Sequence, residues 1–239
     1  MPQHELLNNI DHRDLKIITD RSARFGDNIM CTLAYPCEFR QLQMHYPIVF
    51  HRAMDSEEHQ PVVLLGLEQD ENLFLYESGW DAEYLPLIMQ RDPFLIGKAN
   101  NTVADADASL VIHVDMSSPR VNKEIGESVF LAQGGNTPYI EHIASVLKAI
   151  HFGHQESKAL VAALHKYQLL ESFVVDIELS KDRNHRLSGF STINEARLAA
   201  LDGNALAELH SQGFLSLIYG VLFSMGQLSN LVKRKKMRL

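Results

Sequence analysis

The chain is poor in the residues that several common protein classes require. Cysteine occurs only as Cys31 and Cys37 in 239 residues, so no disulfide framework supports the fold, and we expect two reduced cytoplasmic thiols. Lysine and arginine number 22 against 30 acidic residues, and the net charge of -8 opposes nonspecific binding to nucleic acid. The amino terminus is charged from His4 onward, so no secretory signal is predicted. These absences favour a soluble, cytoplasmic protein.

Internal repeats and Pro/Gly/Ser-rich linkers are absent as well, which predicts a single compact unit. The first half alternates short β-branched and aromatic runs with polar turns, a pattern typical of strands. The predicted strands are IMCTLAY, YPIVFHR, PVVLLGL, NLFLY and SLVIHVD. The short EQDE connection predicts a hairpin that sets Val62 to Leu67 beside Asn72 to Tyr76.

The second half is predicted to be largely helical. Thr137 and Pro138 suit the N-cap and first position of a helix, and we expect Gly153 to end it. A second helix is predicted from about residue 156 to 170, and the strand SFVVDIEL follows. Asn194 is a predicted N-cap. The fold class is therefore α+β, with a mixed or antiparallel sheet packed with C-terminal helices.

Residues 213 to 232 carry no charge and precede the basic sequence KRKKMR, as a membrane span would. Apolar residues nevertheless form one stripe at helical spacing, with Ser216, Gly220, Ser224 and Gln227 on another side. An amphipathic core helix is favoured, and a span stays the alternative. The basic tail that follows suits a helix C-terminus or an anionic surface. Its residues are Lys233, Arg234, Lys235, Lys236 and Arg238.

The most distinctive stretch is GWDAEYLPLIMQRDPFLIG, residues 79 to 97, which contains the only tryptophan of the chain. Its large apolar side chains predict a short helix that closes the core, with Trp80 and Phe94 as anchors. The alternative is a groove for a peptide or small ligand, because Trp, Tyr and Arg favour such contacts. The candidate groove residues are Trp80, Asp81, Tyr84 and Arg91.

Histidine and carboxylate spacings provide weaker hypotheses. His113 and Asp115 share one face of a strand and could supply two ligands of an iron site, with His185 as a third. The second set, for zinc, is His151, His154 and His165. Gly134 and Gly135 precede a helix, but a turn is favoured there over a phosphate cradle. No cofactor is predicted.

The order of several segments resembles one protein family. The segments are YPIVF, PVVLLGL, NLFLYESGWDAEYLPLIMQRDPFLIG, LAQGGNTPYIEHI, LSGFSTINEARLAAL and GFLSLIYGVLFSMGQLSNL. Together they resemble the bacterial SapC family from about Arg24 to Leu231. The resemblance implies a soluble protein without an agreed catalytic mechanism, encoded near tryptophan-halogenase-like proteins and TonB-dependent receptors.

The favoured interpretation is therefore a non-catalytic accessory or binding protein with a protein or peptide partner. We expect an N-terminal segment (1–23), a SapC-like domain (24–232) and a basic tail (233–239), with no specific nucleic-acid partner and no integral membrane segment. An iron-dependent oxygenase that uses His113 and Asp115 is one alternative. The family name implies a third class, a surface-layer structural protein.

Overall fold

The computed structural model describes residues 3–52, 58–98, 110–180 and 183–239. The strands within them are β1 (His4–Leu6), β2 (Lys16–Ile17), β3 (Cys31–Leu33), β4 (Ile48–Arg52), β5 (His59–Leu64), β6 (Leu75–Tyr76), β7 (Gly79–Trp80), β8 (Phe94–Lys98), β9 (Leu110–Asp115), β10 (Val121–Asn122), β11 (Glu127–Ser128), β12 (Leu170–Ser180) and β13 (Arg183–Ile193). The α-helices are α1 (Phe39–Leu42), α2 (Leu87–Gln90), α3 (Pro138–Lys166), α4 (Glu195–Ala199), α5 (Gly203–Ser211), α6 (Phe214–Ser224) and α7 (Gln227–Met237).

The structure confirms an α+β fold with antiparallel sheets and C-terminal helices. The described strands form sheets in the orders β1-β9-β8, β10-β2-β11, β12-β13-β4-β5-β3 and β6-β7, and their pairings are antiparallel. The chain groups into two compact units. The first comprises Met1–Asp27 with Leu87–Phe152, and the second comprises Asn28–Pro86 with Gly153–Leu239.

The first unit has an apolar core between its strands and the start of α3. Phe94 on β8 pairs with Val114 on β9, and both side chains are fully buried. Ile143 and Leu147 recur at helical spacing on α3 and pack in the same cluster. Thr137 accepts a hydrogen bond from the Ile140 backbone N–H at 3.4 Å, so the predicted N-cap is confirmed. Core packing thus explains the phenylalanine of the distinctive stretch.

A buried ion pair joins distant parts of the first unit. Both oxygens of the Asp27 carboxylate accept from Arg120 Nη2, at 2.8 and 2.7 Å. Arg120 Nη1 also donates to the backbone oxygens of Ile18 and Asp20. Because a buried charge is costly without such partners, these bonds fix Arg120 as a structural residue.

The second unit is built on the five-stranded sheet. On β12, Ile177 and Leu179 are buried while Asp176 and Glu178 are exposed, so the predicted alternation is confirmed. The predicted cap at Asn194 is also confirmed, since its side chain accepts from the Arg197 N–H at 2.7 Å. Alternation and capping are local signals, which is why the sequence predicted them correctly.

Gly153 does not end a helix, and this prediction was wrong. Helix α3 runs without a break from Pro138 to Lys166, so the second predicted helix belongs to the same element. A Cβ atom added to Gly153 would lie 2.8 Å from the Cβ of Tyr35. Glycine is therefore explained by a close tertiary contact, which outweighs its cost of about 1 kcal/mol inside a helix.

The predicted hairpin between residues 62–67 and 72–76 is wrong too. Strand β5 pairs with β4 and β3, whereas β6 pairs with β7. One backbone bond, from the Leu73 N–H to the Leu65 oxygen, joins the two predicted partners. The Asn72 side chain accepts from the Phe74 N–H and forms a local turn instead of extending a strand.

The predicted C-terminal helix is divided into α6 and α7. Ile218 and Val221 are fully buried, or nearly so, which agrees with the predicted core-facing stripe, and Leu231, outside that stripe, is buried as well. Ser224 departs from the expected polar side: it is 0% exposed, and its hydroxyl accepts from the Ile48 N–H at 2.8 Å. A hydroxyl satisfies the buried backbone N–H at the start of β4, which would otherwise lack an acceptor.

Candidate functional site

A cleft in the second unit provides the best-formed candidate site. It lies among β3, the start of β5 and the second part of α3, and its volume is about 280 Å³. This is near the lower end of the roughly 300–1,000 Å³ of ligand pockets. Its lining residues are Leu33, Ala34, Tyr35, Glu58, His59, Gln60, Pro61, His154, Ser157, Lys158, Val161, Ala162 and His165. We name it the α3 cleft.

The helical side of the α3 cleft follows from spacing. Residues 154, 157, 158, 161, 162 and 165 are separated by three or four positions, so one helix face presents all of them. That face combines small and apolar side chains with two histidines, a serine and a lysine. Such a mixture of apolar walls and a few polar groups is typical of small-molecule sites.

Two histidines are hydrogen-bonded to each other at this site. His59 Nδ1 lies 3.2 Å from His165 Nε2, and His59 Nε2 lies 3.2 Å from the Ser191 hydroxyl. Burial lowers the pKa of His59, and the nearby His165, Arg52 and His51 lower it further. His59 is therefore held in its neutral form, able to donate from one ring nitrogen and accept at the other.

Ser157 is the unsatisfied group of the α3 cleft. It is 9% exposed, and its hydroxyl has no hydrogen-bond partner among the described residues. A buried hydroxyl without a partner costs about 1 to 3 kcal/mol, and native structures contain few of them. Ser157 also lines the α3 cleft, so its hydroxyl is a polar group of the lining without an identified partner among the described residues.

The predicted groove residues Trp80 and Tyr84 are used inside the second unit. Trp80 Nε1 donates to the Tyr46 hydroxyl at 3.0 Å, and that hydroxyl donates to the backbone oxygen of Tyr84. The Tyr84 hydroxyl in turn donates to Glu38 Oε2 at 3.0 Å. The Trp80 ring stacks on Phe74 with centroids 6.0 Å apart. We call this set the Trp80 network, and its polar groups satisfy one another.

Asp81 and Arg91, the other two groove residues, have separate partners. Asp81 is exposed and accepts from Arg234 Nη1 at 2.6 Å. Arg91 belongs to the first unit, where it donates to the Phe94 backbone oxygen at 3.0 Å. Each side chain therefore has an identified structural contact.

The basic tail binds largely to its own chain. The Lys235 ammonium lies 2.6 Å from Glu71 and 3.0 Å from Glu68, and its side chain is nearly buried. Arg238 donates to three backbone oxygens between residues 72 and 75. Lys233 and Lys236 are the exposed lysines of the tail.

The predicted metal ligands are distributed over several places. The Asp115 carboxylate accepts from the Ser117 hydroxyl at 2.6 Å and from the Gln3 N–H at 3.0 Å. The Ser117 hydrogen bond lowers the pKa of Asp115. His154 and His165 line the α3 cleft, while His185 lies 3.9 Å from Glu68. Within the described ranges, no three His, Cys, Asp or Glu side chains are grouped so that they could hold a metal ion.

Sequence reasoning missed His59, Ser157, Lys158 and Ser191. The three- and four-residue spacing on α3 was a usable signal, because the helix predicted from about residue 156 to 170 already contains most of these positions. His59 and Ser191 are 132 positions apart and meet only through the order of the sheet, in which β13 lies next to β4 and β4 next to β5. No local pattern could have paired them.

A family model agrees with the resemblance drawn from the sequence. The model, described as SapC, matches residues 7–231. No curated protein and no solved structure matches the chain. Because the match covers most of the 239 residues, this chain belongs to the SapC family.

Proposed function

We propose that this SapC family protein is a non-catalytic binding protein whose α3 cleft captures a small molecule with an apolar body and a carboxylate. One observation carries the proposal: Ser157, whose buried hydroxyl is unpartnered among the described residues, lines the same cleft as the hydrogen-bonded His59–His165 pair. A carboxylate offers the acceptor that this hydroxyl lacks. This hydrogen bond would offset the free-energy cost of a buried hydroxyl that has no partner.

The cleft carries donor groups that could bind an anion. Lys158, His154 and His165 all line it, with Glu58 as the acidic residue of the lining. The apolar side chains of Leu33, Val161 and their neighbours would contact the rest of the ligand.

The experiment compares a carboxylate with its neutral counterpart. Indole-3-acetate and indole-3-acetamide differ in charge but hardly in shape, and protein NMR detects even millimolar binding by shifts of backbone and histidine signals. We expect indole-3-acetate to perturb residues around Ser157, His59 and His165. We expect indole-3-acetamide to bind at least about tenfold more weakly than indole-3-acetate, because a hydrogen bond to a charged carboxylate is stronger than one to a neutral amide.

The matched variants are Ser157→Ala and Ser145→Ala, on the same helix. Ser145 is exposed, and its hydroxyl already donates to the His142 backbone oxygen. Ser157→Ala should weaken indole-3-acetate by about tenfold, while Ser145→Ala should change nothing. Equal binding of acid and amide, or equal affinity of the two variants, would contradict the proposal.

The Ser191–His59–His165 chain favours a second function, acyl transfer through Ser191. His59 is placed to take the Ser191 proton as the oxygen attacks an ester carbonyl, and to return it to the departing alcohol. A fluorophosphonate probe tests this idea, because it forms a covalent adduct with an activated serine. An adduct that forms on the wild type and is lost in Ser191→Ala would favour the enzyme. An unlabelled protein would favour the binding protein.

We extend the first proposal to an accessory role in the cytoplasm, beside tryptophan-halogenase-like and TonB-dependent uptake systems. The support for this extension is the family resemblance, together with a cleft suited to holding a small molecule for a partner protein. The test is co-purification of the tagged chain with a member of either system. We expect this co-purification to be lost in Ser157→Ala or to depend on added indole-3-acetate.

A further inference from the structure

One face of α6 is apolar and exposed. Tyr219 is 43% exposed and Phe223 is 72% exposed, one turn apart with stacked rings whose centroids are 6.1 Å apart. On the following helix, α7, Met237 is 74% exposed as well. Large apolar side chains grouped on one exposed helix face are typical of an interaction surface. We name Tyr219, Phe223 and the adjoining Leu215 and Leu222 the aromatic face.

The opposite side of these helices is committed to the second unit. Ile218, Val221 and Leu231 are buried, Ser224 binds the Ile48 N–H, and Lys235 forms ion pairs with Glu68 and Glu71. Among the described residues, Phe214–Met237 is the one stretch long and apolar enough to cross a membrane, and 28% of its most apolar part is buried. Spanning a bilayer would break the packed contacts, whereas lying on its surface would keep them.

Charge along the same helices selects the partner. Residues 213 to 239 contain no aspartate or glutamate, although the chain has a net charge of -8. Lys233 and Lys236 are exposed, and ten residues between Phe223 and Lys233 correspond to about 15 Å along a helix axis. The carboxylates that contact α7 are already paired, Asp81 with Arg234 and Glu68 and Glu71 with Lys235, and Glu83 is exposed at the same groove as Asp81. The helices thus present an aromatic segment followed by cations.

From this arrangement we infer that the α6–α7 surface docks on an anionic phospholipid membrane. Phe223 and Tyr219 enter the boundary between headgroups and acyl chains, where amphipathic aromatic rings are favoured. Lys233 and Lys236 contact lipid phosphates at the same surface, adding attraction that salt weakens. The attachment is peripheral and reversible, and it brings the otherwise acidic protein to the membrane by one defined face.

Vesicle sedimentation tests the inference on the full chain. The probes are vesicles of phosphatidylcholine with 30% phosphatidylglycerol and vesicles of phosphatidylcholine alone. We expect the wild type to bind the anionic vesicles preferentially and to be released by about 0.5 M salt. Phe223→Ser should weaken binding by about tenfold or more, because it removes most of the inserted apolar area. Each of Lys233→Gln and Lys236→Gln should weaken it about fivefold.

Phe152→Ser is the matched control, since Phe152 is an exposed phenylalanine (46%) on a different helix. It should bind vesicles as the wild type does. Binding that survives Phe223→Ser, losses of equal size in Phe152→Ser, or no binding of the wild type to anionic vesicles would each overturn the inference. Analytical ultracentrifugation tests whether a second copy of this chain binds the aromatic face instead. A wild-type dimer that Phe223→Ser converts to a monomer would assign the aromatic face to that second copy and overturn the inference.

Discussion

The Trp80 network and the α3 cleft lie in the same unit, but they differ in whether their buried polar groups have hydrogen-bond partners. In the network, the Trp80 N–H and the Tyr46 and Tyr84 hydroxyls all have protein acceptors. In the cleft, the Ser157 hydroxyl has no partner among the described residues. The aromatic stretch attracts attention in the sequence, yet its hydrogen bonds are complete. A ligand site is better indicated by the polar group that the fold leaves unsatisfied.

The strongest way to break this comparison is Trp80→Ala. Loss of the Trp80 ring removes its stacking on Phe74 and its bond to Tyr46. We expect the free energy of unfolding to fall by about 3 kcal/mol, the lower end for such truncations because Trp80 is only half-buried. Urea denaturation measures it. If the variant is as stable as the wild type, Trp80 has no structural role and is again a candidate recognition residue.

Tyr46→Phe removes a single hydroxyl from the centre of the network. Trp80 Nε1 then loses its acceptor and the Tyr84 backbone oxygen loses a donor. Tyr46 is 0% exposed, so we expect a loss of about 1 to 3 kcal/mol in the same urea measurement. Tyr76→Phe, at an exposed tyrosine, is the control and should change stability little. Similar losses in both variants would show that the network hydroxyl has no special role.

The pH dependence of stability tests His59 in the cleft. Its pKa is lowered in the folded state, so the unfolded chain binds more protons once the pH falls below about 6.5. The free energy of unfolding should therefore decrease from pH 7 downward until the lowered pKa of His59 is passed. His59→Gln should flatten this decrease when urea midpoints are compared at pH 7.5 and 5.5. An unchanged slope would mean that His59 titrates normally.

Ser157→Ala should have the smallest effect on folding. Because the hydroxyl has no described partner, its removal forfeits no hydrogen bond, and stability should change by less than about 0.5 kcal/mol or rise slightly. The thermal midpoint, measured without added ligand, checks this. A loss of about 2 kcal/mol or more would reveal a structural partner for Ser157 and remove the main support for the binding site.

Much of the fold could be predicted from local patterns. Alternation on β12, the cap at Asn194, the start of α3 at Pro138 and the buried stripe of α6 all depend on residues close in sequence. The errors concern residues whose role depends on distant partners. Gly153 was interpreted as a helix end because a local pattern cannot contain Tyr35, which lies more than a hundred positions away.

By itself, the sequence determined the α+β class, several of the longer strands and helices and the family, because periodicity, capping and segment order are properties of neighbouring residues. The tertiary structure decided the rest. It gave the Trp80 N–H an acceptor in the Tyr46 hydroxyl, paired Arg234 and Lys235 of the basic tail with carboxylates of the same chain, and exposed Phe223. It also placed His59, Ser157 and His165 around one cleft. Burial and hydrogen-bond satisfaction are properties of the folded arrangement, and no spacing along the chain encodes them.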